Sequence, residues 1–185
     1  MNTTIITELF LYFARFVQKE RGLNFFNLGA SPDPGYKDLR QKIEAFPEHS
    51  LLDIQDYAFG ANLQAVRERV NNIHDNYLFV DFGEIDCGVD RFNRFFDNSK
   101  LAVTVASRLT TFTGDLVTQA IAFDRNLQLI SDVRNTMIRD QAAHPWLKDC
   151  SLSHTFVPFV SPELLSIGWT LMFSRNGYDS FGTKK

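Results

Sequence analysis

Between Leu165 and Phe173 the chain alternates without a break: Leu165, Ile167, Trp169, Leu171 and Phe173 are separated by Ser166, Gly168, Thr170 and Met172. A two-residue period places successive side chains on opposite faces of a β-strand, so this stretch has one greasy face and one small or polar face. An apolar face of this size has to be covered. Two amphipathic helices are available to do so. Ile6, Leu9, Phe10, Phe13, Phe16 and Val17 fall at helical spacing, with Asn2, Thr3 or Thr4 as N-cap and Gly22 as a stop. Leu116, Ala120, Phe123, Leu127, Ile130 and Met137 form a longer stripe that Asp115 caps and that runs to about Gln141. The pattern predicts an α+β fold, an antiparallel sheet of about four strands packed by an N-terminal helix and a long central helix.

The other strands are expected at Tyr77–Phe82, at Leu101–Val105, and at His154–Phe159, which Ser161 and Pro162 turn into the alternating strand. The first two of these can pair antiparallel, with Asp86–Lys100 as an extended loop at their tip. Residues 22–73 read as an irregular insert broken by Pro32, Pro34, Gly35 and Pro47. It carries a surface cluster of Phe25, Phe26, Leu28 and Tyr36, a weak strand at Leu51–Tyr57 and a helix at Asn62–Ile73. No low-complexity linker divides residues 1–185, so one domain is expected.

Composition narrows the function classes. A formal charge of −3 gives no global drive toward nucleic acid. Cys87 and Cys150 lack CxxC spacing and cannot build a disulfide framework, which favours a reducing compartment. The most apolar early segment, Ile5–Val17, contains Glu8 and Arg15 and has no cleavage-site pattern, and no run approaches the ~20 apolar residues of a membrane helix. A soluble, cytoplasmic protein is expected. The 18 Phe imply a heavy core, a sticky association surface, or both.

No motif specifies a reaction, and no catalytic residue, cofactor or metal is expected. Asp81, Phe82 and Gly83 spell the metal-binding triplet of protein kinases, but no Gly-rich phosphate loop or HRD loop accompanies it. His49, His74 and Asp75 have the spacing of a metal phosphohydrolase set, on unsuitable elements. Glu84, Asp86 and Asp90 are acidic without the glycine and terminal glutamate of a calcium loop. The segment that stands out is Arg91, Phe92, Arg94, Phe95 and Phe96, since Arg and aromatic residues are the side chains that anchor protein interfaces. Its neighbours Asp86, Asp90 and Asp97 disfavour a phosphate backbone as the partner.

Through the segments Thr7–Lys19, Tyr77–Phe82, Lys100–Thr110, Asp115–Gln141 and His154–Arg175, the element order resembles that of phage tail-terminator and tail-completion (neck) proteins. The resemblance implies a structural subunit that forms a homo-oligomeric ring and contacts other tail or neck proteins, with the Arg and Phe segment and the insert as arms. On that view, removing Asp90–Asn98 leaves a folded monomer. Two other classes compete: a non-catalytic adaptor that docks a peptide or helix, and a metal-dependent phosphohydrolase built on His49, His74 and Asp75.

Overall fold

The computed structural model describes residues 5–26, 31–48, 50–110, 115–151 and 153–177. Helix α1 (Ile5–Ala14) is followed by α2 (Lys19–Leu23), α3 (Pro34–Glu44), β1 (Asp56–Gly60), α4 (Leu63–Asn71), β2 (Asn76–Asp81), β3 (Ile85–Val89), β4 (Phe95–Arg108), α5 (Leu116–Asp140), α6 (Pro145–Lys148), β5 (Thr155–Ser161) and β6 (Ser166–Gly177). The fold is α+β, with six strands in one sheet, ordered β1-β2-β4-β6-β5 with β3 also paired to β4. Two expectations are corrected here. The sheet has six strands where about four were expected, and it is mixed, because β1 lies parallel to β2 while every other pairing is antiparallel.

Register divides the side chains cleanly. Across β2, β4, β6 and β5, one face carries the rows Leu78, Val105, Trp169, Pro158 and Val80, Val103, Leu171, Phe156. The helices cover this face: Ile130, Val133 and Met137 of α5 and Leu9, Tyr12 and Phe13 of α1 join it in the principal core. Complete burial of each such large side chain contributes about 1.5–3 kcal/mol. The strand seen in the alternating sequence is therefore correct in its facing, except that Leu165 precedes it in a left-handed turn (φ 49°).

The opposite face carries Tyr77, Ala106, Gly168, Phe159 and then Phe79, Thr104, Thr170, Val157. Helix α4 covers part of it, packing Val66 and Val70, with Ile73 just beyond its end, among Tyr77, Phe79 and Leu164. Where α4 does not reach, Met172 and Val157 are left exposed.

The insert expected at 22–73 is packed into the fold. Ile43, Ile54 and Tyr57 are fully buried, and β1 extends the sheet one strand beyond β2. Phe10 of α1 is the reason the segment docks: its ring meets Phe25, Tyr57 and Phe59 at 5.3–5.7 Å, and the Tyr57 hydroxyl donates to the Phe10 carbonyl at 3.0 Å. Edge-to-face ring pairs add about 0.5–1.5 kcal/mol beyond burial, so an aromatic-rich chain can seat a long connection this way. Phe26 and Tyr36 pair as expected; Leu28 lies outside the described residues. Helix α1 stops at Ala14, ahead of the expected stop at Gly22, because Val17 leaves the helix to bridge Ile54.

The N-cap assignment for the central helix holds: the Asp115 carboxylate accepts from the Val117 amide at 3.0 Å, and the helix ends at Asp140. Its expected core stripe starts late. Leu116 is 78% exposed, because the helix overhangs the sheet: Asn126 is its first fully buried residue and already bonds Ser107 and Ile167, near the end of the sheet formed by Arg108 and Ser166.

Candidate functional site

The expected loop Asp86–Lys100 is a β-hairpin. Strand β2 leaves the ladder at Phe82–Glu84 and re-enters as β3, which pairs with the first half of β4 from Ile85↔Ser99 to Val89↔Phe95. Gly83 makes the break possible, since it sits at φ +50° with the Lys100 carbonyl where a Cβ would be, a conformation and a contact that only glycine tolerates. The result is a long ribbon: β4 runs 14 residues and projects past the helices toward its turn.

The turn is built by Asp90. One of its carboxylate oxygens accepts from the amides of Phe92 (2.8 Å) and Arg94 (2.9 Å), the other pairs with the Arg94 guanidinium, and the Asp90 amide donates to the Arg94 carbonyl at 2.9 Å. The bond from the Arg94 amide, followed by its guanidinium and the Phe92 amide, holds the Asp90 carboxyl below the usual carboxylate range. Asn93 completes the turn at φ 58°, a left-handed position that Asn adopts readily.

Phe92 is 62% exposed with the Arg91 and Arg94 guanidinium carbons 4.8 and 5.2 Å from its ring centroid. Val89 and Phe95, opposite each other in the register, are 50% and 63% exposed. An aromatic ring, two flanking apolar side chains and two guanidinium groups thus stand on a preorganised turn. Of the five residues singled out in the sequence, Arg91, Phe92, Arg94 and Phe95 face solvent. Phe96 does not join them: its ring folds back over Gly88, where a Cβ would lie 2.9 Å from it. The hairpin also corrects the expectation for removal of Asp90–Asn98, because that segment contains Asp97, a 1% exposed residue whose carboxylate is buried against Arg175. Point substitutions at the tip, not deletion, leave the buried Asp97–Arg175 pair in place.

The acidic residues nearby are already used. Lys100 reaches Glu84 at 3.4 Å and Asp86 at 3.6 Å, and Asp90 is committed to the turn. The Asp81 carboxylate accepts from the Gly83 amide at 2.8 Å, so the Asp81–Gly83 triplet is a strand ending in a turn. His74 and Asp75 lie exposed in the turn between α4 and β2, where Asp75 accepts from the Asn76 amide, and His49 lies outside the described residues. Among the described residues, no group of three or more His, Cys, Asp or Glu could hold a metal ion.

A second polar cluster lies where the end of α1 meets the end of α5. The Arg15 guanidinium pairs with Asp140 at 2.7 Å and stacks on the Tyr12 ring at 4.4 Å, and the Tyr12 hydroxyl donates to the same carboxylate at 3.3 Å. Burial, then the Asp140 charge, raises the Tyr12 hydroxyl well above its ordinary range; burial, then Arg15, lowers His144 beside it. These groups satisfy one another and tie α1 to the end of α5.

The two thiols differ in a testable way. Cys150 is buried and donates weakly to the Trp146 carbonyl; burial pushes its thiol up to about 12. Cys87 is exposed on β3. A thiol-specific reagent is therefore expected to label one cysteine in the native protein and two after denaturation. Two fast-reacting thiols in the native state would contradict the packing of α6.

No protein-family model matches the chain, and no curated protein sequence matches it. Among the described residues no helix is long and apolar enough to cross a membrane.

Proposed function

We propose that this chain is a structural assembly subunit of the phage or prophage tail-terminator and neck kind, forming a homo-oligomeric ring through the β3–β4 hairpin and presenting it to other tail or neck proteins. The observation that carries this is the Phe92 tip: an exposed ring held by two arginines on a turn that Asp90 fixes before any partner arrives. Preorganised aromatic and Arg anchors lose little entropy on docking and dominate interface energetics. The architecture fits the role, since a ring subunit needs a rigid body and an arm rather than a reaction cleft. It belongs in the cytoplasm during assembly, with no specific nucleic-acid or membrane partner.

The test is the mass in solution of the parent and of Phe92→Ala. An anchor of this type is worth at least ~2 kcal/mol, so self-association is expected to weaken roughly 30-fold while the circular dichroism spectrum is unchanged. A parent that stays monomeric at high concentration, or a variant that keeps the parent oligomer, removes the hairpin as the assembly arm.

A further inference from the structure

A tip that docks on another subunit needs a receiving surface, and resting on the reading above, the molecule offers one at its other end. Helix α5 enters over the Arg108 and Ser166 end of the sheet, while the hairpin turn lies beyond Phe95 at the opposite end of β4. Thirteen rises of ~3.4 Å put these ends roughly 44 Å apart.

In the overhanging part of α5, Leu116, Val117 and Ile121 are 78%, 64% and 66% exposed. Leu116 continues the inward stripe past the last described residue that covers it. Val117 and Ile121 are different: they lie on the outer side of the helix, with the exposed Asp124 one turn further along the same side. Three large apolar residues on two turns of an otherwise solvated helix end have no role in this subunit's own core.

The charges complement one another. The receiving surface has apolar side chains with a carboxylate, Asp124, that forms no ion pair among the described residues. The tip has apolar side chains with a guanidinium, Arg91, whose contact is the Phe92 ring and which likewise forms no ion pair among the described residues. Arg94, in contrast, is already paired to Asp90 at 2.8 Å. Each surface thus presents one charge outside any ion pair among the described residues, and the two are opposite in sign.

We infer that the Phe92 tip of one copy docks on the Leu116, Val117 and Ile121 face of the next, with Arg91 pairing to Asp124, so that subunits join head to tail. Such a contact is heterologous: tip and receiving face are different surfaces, both remain available on a dimer, and repetition by a rotation closes a ring. A tip-to-tip contact would instead stop at two.

Mixing two defective proteins tests this. Phe92→Ala lacks the tip, and Ile121→Glu lacks the receiving face; both sites are more than 60% exposed, so thermal unfolding of each variant should match the parent. By light scattering each variant alone is expected to be monomeric, with association weakened at least ~30-fold. Their equimolar mixture is expected to give a heterodimer and nothing larger, because each pair retains one intact tip and one intact face. Reversal of the charges supplies a second arm: Arg91→Glu should weaken assembly, and Asp124→Arg in the same chain should restore it. An oligomeric parent whose Ile121→Glu variant keeps the parent mass overturns the head-to-tail contact and leaves the hairpin reading standing. A monomeric parent overturns both.

Discussion

Gly168→Ala is expected to lower the stability of the folded chain by about 3 kcal/mol, beyond what most surface changes or single methyl additions do. Gly168 lies in β6 between Ala106 of β4 and Phe159 of β5. A Cβ there would meet the Val105 carbonyl oxygen at 2.0 Å and the Ala106 Cα at 2.6 Å. Both are backbone atoms of the neighbouring strand, so no rotamer change relieves the clash and the β4–β6 ladder has to move. That ladder is the centre of the sheet, and on its other face Val105 and Trp169 pack in the principal core. For a chain of this size the midpoint of thermal unfolding should fall roughly 6–12 °C. Gly22→Ala is the matched control: its Cβ would meet only the Ile43 side chain at 3.4 Å and the Ala14 Cβ at 3.8 Å, and a helical alanine is favoured there. If Gly168→Ala melts within about 2 °C of the parent, the close approach of the two strands is wrong.

The alternation around Gly168 was the most legible part of the chain, because a period of two fixes facing wherever one side is covered. What could not be read has identifiable causes. Strand β1 (Asp56–Gly60) overlaps the weak strand expected at Leu51–Tyr57 only at Asp56 and Tyr57: it has five residues and pairs parallel, so neither length nor turn chemistry marks its bounds. Strand β3 contains Asp86 and Gly88, residues depleted in strands, and owes its pairing to Gly83 and to the Asp90 turn rather than to its own propensity. At the candidate site, the composition of Arg91–Phe95 is enough to single out the exposed tip, whereas Phe96 differs from Phe95 only in the face to which the strand turns it. The proposed receiving face is hidden in the sequence for a geometric reason: Leu116 fits the helical core stripe, and only the place where the sheet ends shows that no described residue buries it.

The base of the β3–β4 hairpin is fixed to the body of the fold, and the expected effect of Asp97→Ala follows from how that is done. The Asp97 carboxylate receives the Arg175 guanidinium at 2.8 Å, with side-chain exposures of 2% and 7%, and the second guanidinium nitrogen reaches Asp149 at 3.0 Å. Backbone bonds close the same corner: the Asn176 amide donates to the Asp149 carbonyl and the Ser151 amide to the Ser174 carbonyl. Gly177 completes it, since a Cβ there would lie 2.8 Å from both the guanidinium and the Asp97 carboxylate. The pair therefore clamps the start of β4, just below the hairpin turn, to the end of β6 and to the segment after α6. Removing Asp97 leaves the buried Arg175 guanidinium with the half-exposed Asp149 as its ion-pair partner, so the expected loss for Asp97→Ala is about 3 kcal/mol by urea unfolding, the low end for breaking a buried pair. The double change Asp97→Leu with Arg175→Met removes both charges of the buried pair, and most of that loss should return, because the cost lies in a guanidinium that stays buried with part of its pairing gone. The two variants then divide stability from assembly. The double variant is expected to be folded yet to assemble less well than the parent, since an apolar contact restores burial without the directional bonds that aim the arm. A loss under about 1 kcal/mol for Asp97→Ala would mean that water reaches this corner and that the hairpin is not held by it.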